Sequence, residues 1–138
     1  MGETLERLKA RMAASPLVRL LGIEILEMGQ GRARLSMGVK KEHLNSLGTI
    51  HGGVIAALND VACGIAVNTL LIPHATSVTL DLRVEFIRSI SQGTITCEGG
   101  VSEKRTQVAF AHSRIMDERG RLLSTASATY FVRPFKEK

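Results

Sequence analysis

The chain has 138 residues, 44% hydrophobic and 22% charged, which suffices for one domain with a real core, is too little for two, and excludes extended disorder. A formal net charge of +5 fits an anionic partner or simple solubility, but the basic residues are scattered from Arg7 and Lys9 to Lys136 and Lys138. With aromatics at 4% and no Trp, neither a clustered basic face nor stacking rings support a nucleic-acid partner.

The N-terminal segment 1–15 carries acids and bases at near-helical spacing, which predicts a short surface helix over 3–14 stopped by Ser15-Pro16. It lacks the apolar core of a signal peptide, and Glu6 stands where a myristoylation pattern after Gly2 wants Ser or Thr, so neither export nor anchoring is expected. IEILEMG (23–29) and RARLSMGV (32–39) alternate as strands do, and Gly29-Gln30-Gly31 between them suits a hairpin turn. A polar loop, KKEHLNSLGT, follows.

From His51 to about Leu71 nearly every residue is apolar or small, with Pro73 as the stop, so a long helix is expected. Its length, on the order of 30 Å, raises the question of a membrane span. Asp60 near its middle, with Asn59 and Asn68, argues against one, since a charge at a bilayer's centre costs about 2.5 to 3.5 kcal/mol on insertion scales. A helix apolar on most sides and outside a membrane has to be wrapped by the rest of the protein. Val78, Leu80, Leu82, Val84 and Phe86 alternate with Thr79, Asp81, Arg83 and Glu85 as a half-buried strand whose apolar side points to the core and whose Thr79 points away. GTITCEGGVSEK continues with Ile95, Cys97 and Val101 on one side and a candidate bulge at Gly99-Gly100. QVAFAHSRIM and RLLSTASATYFV follow, separated by the turn-like Asp117–Gly120. The expected architecture is α+β: an antiparallel sheet of about six strands around one central helix, as a single domain over 1–138.

Cys63 and Cys97 sit in separate apolar stretches with no CxxC spacing, which points to reduced thiols in a cytoplasmic protein. His43, His51, His74 and His112 have no metal-ligand spacing, Gly29-x-Gly31 lacks the third glycine of a dinucleotide site, and no G-x-S-x-G elbow occurs. What remains is NSLGTIHGGVIAALND, residues 45–60. Asp is a weak helix former and expensive to bury unpaired, so Asp60 faces either a wet gap, a neighbouring Arg, or a chemical task. Gly52 and Gly53 open the helix, where free backbone N–H groups favour negative charge; a merely flexible helix start is the alternative.

Asn45, Gly48, His51-Gly52-Gly53 and Asp60, followed by the small Ala62, Gly64 and Ala66, resemble the N-x-x-G-x-x-H-G-G-x-x-x-x-x-x-D signature of hotdog-fold acyl-CoA thioesterases of the PaaI-like, phenylacetate-pathway type. The resemblance implies hydrolysis of a CoA thioester to free CoA and a carboxylic acid, with no cofactor, since coenzyme A belongs to the substrate. It implies Asp60 as base or nucleophile, the Gly52 N–H as oxyanion donor, His51 and Asn45 as residues shaping the loop and holding the thioester, and Thr79 where relatives carry a water-positioning Ser or Thr; for His51 a mere cap of the helix is the alternative. It also implies a homodimer that pairs into a homotetramer. Eight residues separate Gly52 from Asp60, about 12 Å along a helix, too far to act on one carbonyl carbon, so the oxyanion hole is expected from one subunit and Asp60 from its partner. Arg83, Arg88, Lys104 and Arg105 are candidates for the CoA phosphates, with a solvated face as the alternative. Two rivals share the fold: a hydratase, disfavoured because Ile65 rather than His lies five residues after Asp60, and a non-catalytic acyl-binding protein, which would have no need of the carboxylate.

Overall fold

A computed structural model describes residues 2–135. Two short helices, α1 (Leu5–Ala13) and α2 (Pro16–Leu21), precede a hairpin of β1 (Ile23–Gly29) and β2 (Arg32–Gly38). The long helix α3 (Gly52–Thr69) comes next, then β3 (Ala75–Phe86), β4 (Thr94–Lys104), β5 (Val108–Met116) and β6 (Leu122–Pro134). The six strands form one sheet in the order β1-β2-β4-β5-β6-β3, with every neighbouring pair antiparallel. This is the hotdog arrangement, and β1 and β3 are its edges.

The helix packs across one face of the sheet. Ile55, Leu58, Ala62, Ile65 and Ala66 pack with Leu35, Met37, Ile95, Cys97, Ile115 and Leu123 from β2, β4, β5 and β6. Although α3 is long and apolar enough to cross a membrane, half of it is buried in this way. Asn59, fully buried in the same face, is satisfied there: its amide donates to Ser124 Oγ at 3.0 Å and its oxygen accepts from Ser113 Oγ at 2.6 Å. That pins one turn of α3 to β5 and β6 without leaving a polar atom unpaired.

Four sequence expectations need correction. Pro16 does not simply end a helix; it starts α2, since its missing N–H is no loss in a first turn, while α1 stops at Ala13 just before it. The N-terminal helices are also not purely surface features, because Leu8 and Val18 are buried. Gly99-Gly100 is no bulge: both residues keep regular register with β2 and β5, and the bulge of β4 lies between Val101 and Glu103. Gly99 instead allows close approach, since a Cβ there would stand 2.7 Å from the Ala62 carbonyl oxygen of α3.

The fourth correction concerns β3. Its pairing with β6 runs Val84↔Ala126 and Leu82↔Ala128 but then Thr79↔Tyr130, so Leu80 is an extra, bulged residue. A bulge of one residue reverses which face each side chain takes. Leu82 and Val84 face α3 as the alternation predicts, whereas beyond the bulge Ser77 and Thr79 face it, and Val78 and Leu80 turn outward, 43% and 60% exposed.

Candidate active site

The loop leading into α3 is organised by its own polar side chains. Asn45 Oδ1 accepts from the N–H groups of Leu47 (2.9 Å) and Thr49 (3.1 Å), while its amide reaches Thr49 Oγ1 at 2.9 Å. Buried His43 braces the loop from below: Nδ1 accepts from the Lys40 N–H and Nε2 donates to the Leu21 carbonyl. His51 is the N-cap of α3, with Nδ1 accepting from the Gly53 N–H at 2.8 Å. It thus caps the helix, and its Nε2 has no partner among the described residues. The Gly52 N–H, at the first position of α3, likewise has no partner among them, and the Phe86 ring lies beside it, 3.4 Å from where a Cβ would stand. An unpaired N–H at a helix start, next to an aromatic wall, is suited to receive a partial negative charge.

Asp60 lies two turns further along the same helix. Asp60, Gly64 and Asn68 repeat every four residues and so form one stripe, turned to β3 and β6. Thr79 Oγ1 donates to Asp60 Oδ1 at 2.9 Å, and Tyr130 OH donates to the same oxygen at 2.6 Å and to the Asp60 carbonyl at 2.8 Å. The Tyr130 ring lies against Gly64, and Asn68 Oδ1 accepts from Thr76 and Ser77. No Lys, Arg or His pairs with Asp60 among the described residues. Its carboxylate lines a groove of about 530 Å³ between α1, α2, α3 and β3, walled by Met12, Pro16, Val18, Val61 and Ile65. Burial first, then Asp60 itself, push the Tyr130 phenol far above its ordinary range, so it is a proton donor throughout neutral pH.

The structure therefore brings Thr79 to Asp60, by way of the bulge, and places His51 and Gly52 at the helix start, with Asn45 holding the loop that leads into it. It does not bring the two groups together within one chain: Gly52 and Asp60 stand at different heights of one straight α3. Cys63, three residues after Asp60, is buried and unpaired; burial is the main cause that pushes its thiol up to about 11, which unsuits it as a nucleophile. Arg83 and Arg105 pair at the surface with Glu85 and Glu103, and Arg88 follows the far end of β3 from the β4–β5 turn that holds Lys104 and Arg105, so these four form no single cluster. Sequence reasoning missed Tyr130, which lies 70 residues from Asp60 in the chain; its only sequence signal was being the sole tyrosine.

The Thioesterase superfamily profile matches residues 47–124, a span that holds Gly52, Asp60 and Thr79. A medium/long-chain acyl-CoA thioesterase of Salmonella typhimurium is 28% identical over 132 residues, covering 85% of this chain and 85% of that protein. Among solved structures, a thioesterase from Haemophilus influenzae superposes with a TM-score of 0.87 at 26% identity, covering 99% of this chain and 95% of the other. A mutant of the phenylacetic acid degradation protein PaaI from Thermus thermophilus superposes with a TM-score of 0.78 at 27% identity, covering 85% and 98%.

Proposed function

The chain belongs to the thioesterase superfamily, and from that premise we propose that it is an acyl-CoA thioesterase whose site is completed by a second copy of itself. Membership supports hydrolysis of a thioester; the acyl-CoA substrate and the roles of individual residues are our reading. The observation that carries it is Asp60, a carboxylate with no cationic partner, held by two hydroxyl donors at the wall of an open groove. A purely structural Asp in a buried helix would be neutralised or closed off.

In this reading two α3 helices run antiparallel across a twofold axis, so that the start of one lies near the middle of the other. The exposed edge of β3, with Val78, Leu80, Phe86 and Ile87, supplies apolar surface for that pairing, and the dimers pair again into a tetramer. The Gly52 N–H of one subunit then receives the thioester oxygen and stabilises the oxyanion as the carbonyl carbon becomes tetrahedral. Asp60 of the partner either takes a proton from the attacking water or attacks the carbon to form a mixed anhydride that water then opens. In both routes the C–S bond breaks, CoA leaves as thiolate and takes up a proton, and the acyl group departs as a carboxylate. His51 Nε2 and the loop held by Asn45 border the oxyanion side, and the apolar wall of the groove takes the acyl chain.

Free-thiol release from a panel of aryl, short and medium-chain acyl-CoAs, by the wild type and by Asp60→Asn, tests this. The expected result is turnover of at least one class and a loss of kcat of about 10² to 10⁴ in the variant. A fully active variant would remove Asp60 from the mechanism, and a wild type inert on every thioester would favour an acyl-binding protein.

A further inference from the structure

Two donors converge on the same oxygen of Asp60. Thr79 Oγ1 and Tyr130 OH both reach Oδ1, at 2.9 and 2.6 Å, whereas Oδ2 accepts from no donor among the described residues. Tyr130 is buried to 2% exposure and reaches the main-chain carbonyl of Asp60 as well, so one hydroxyl ties the carboxylate to its own backbone. Its position is fixed in turn by the sheet: Tyr130 pairs with Thr79 across β3–β6, which sets the two donors side by side on one rung. Thr79 reaches that rung only because Leu80 is bulged.

We propose that Tyr130 is a positioning residue for the thioesterase reaction: with Thr79 it clamps Oδ1 and so assigns the chemistry to Oδ2, the oxygen that meets the water or the thioester carbon. This rests on the reading of Asp60 given above. The clamp removes rotation of the carboxylate about its Cβ–Cγ bond, and orientation of a reacting group is worth a large part of a barrier. Tyr130, only 2% exposed, acts through Asp60. Its phenol, kept protonated by burial and by the carboxylate, always presents a proton to Oδ1 in the working range.

Tyr130→Phe keeps the ring and removes only the hydroxyl. With the best substrate of the acyl-CoA panel, kcat is expected to fall about tenfold to a hundredfold while KM stays within about twofold, since the groove wall is unchanged. Thr79→Val is expected to act the same way, and the double variant to lose less than the product of the two, because both act on one oxygen. A second readout needs no turnover. Tyr130 is the only tyrosine and there is no Trp, so the protein's intrinsic emission is that of this one phenol. A carboxylate hydrogen-bonded to an excited phenol takes its proton and quenches it, so Asp60→Asn is expected to brighten the folded protein. Unchanged kcat in Tyr130→Phe, with Asp60→Asn inactive, would overturn the clamp and leave the active-site reading intact. Unchanged emission in Asp60→Asn would likewise overturn it, even if Tyr130→Phe failed to fold. An active Asp60→Asn would overturn the reading of the site itself.

Discussion

The seam between α3 and β3 has two unlike halves, divided by the bulge at Leu80. On the side toward Phe86, Leu82 and Val84 face the helix and extend the core; on the side toward Ala75, Ser77 and Thr79 face it and meet Asn68 and Asp60. From Val78 to Phe86, on both sides of the bulge, every second residue is apolar, and the segment reads as one uninterrupted pattern. What differs is the direction in which the pattern points. One inserted residue turns apolar side chains outward, turns hydroxyls inward, and makes half of a dry seam into the polar side of an otherwise apolar groove.

The largest test of that difference compares Leu82→Asp with Leu80→Asp. A regular alternating strand would make the two equivalent. With the bulge, Leu82→Asp places an unpaired charge against the core and is expected to cost about 3 kcal/mol in denaturant unfolding. Leu80→Asp is expected to change unfolding of the subunit by less than about 0.5 kcal/mol and to weaken association of subunits instead, visible as a concentration-dependent shift in sedimentation.

The contrast between dry and wet sides also appears along α3. Cys63 lies in the dry cluster with Leu82 packed against it, and burial holds its thiol up to about 11. An unfolded thiol ionises near the ordinary 9.0, so above that pH the unfolded chain has released a proton that the folded chain keeps. Cys97, buried as deeply and raised further, contributes a loss in the same window. Stability is therefore expected to be flat below about pH 8 and to fall as pH rises from about 9 to about 11, by on the order of 2 kcal/mol for each thiol, and Cys63→Ala should roughly halve the slope of that stretch. Tyr130, also raised, adds to the loss above about pH 10.

Glycine substitutions on the two sides should differ in sign. At Gly99 a Cβ would press on the Ala62 backbone at 2.7 Å, so Gly99→Ala forces α3 off the sheet and is expected to cost about 1 to 3 kcal/mol. At Gly64, on the groove side, the nearest atom would be Tyr130 Cε1 at an ordinary 3.5 Å. Gly64→Ala is expected to gain about 0.5 to 1 kcal/mol through helix propensity alone, read as a higher melting temperature.

Much of this was legible in the order of residues. The hairpin was written in Gly29-Gln30-Gly31, where Gln30 and Gly31 take φ of 53° and 77°, and α3 was written in an apolar run bounded by His51-Gly52-Gly53 and Pro73. The motif from Asn45 to Asp60 is local, so sequence alone could present it whole. The bulge was not legible, because alternation carries no mark of an extra residue and only the partner strand reveals it. Pro16 fits the end of one helix and the start of the next equally well, and only the second is what α2 displays. Tyr130 is a tertiary contact: β6 alternates Ala126, Ala128, Tyr130 toward the helix, but which turn of α3 it meets is set by sheet register.

The central claim is that one active site draws Gly52 from one chain and Asp60 from another. Gly52→Pro deletes the oxyanion N–H at a helix position that tolerates proline, after a residue already in the extended conformation that proline requires, with φ of −65° and ψ of 136° at His51. It is expected to lower kcat by about 10² to 10³, as Asp60→Asn does through the other group. When the two inactive variants are unfolded together and refolded as a mixture, a mixed dimer holds one site with both lesions and one with none. The account predicts recovery of about a quarter of wild-type turnover at equal mixing. A mixture as inactive as its components would place both groups in one chain's site and contradict it.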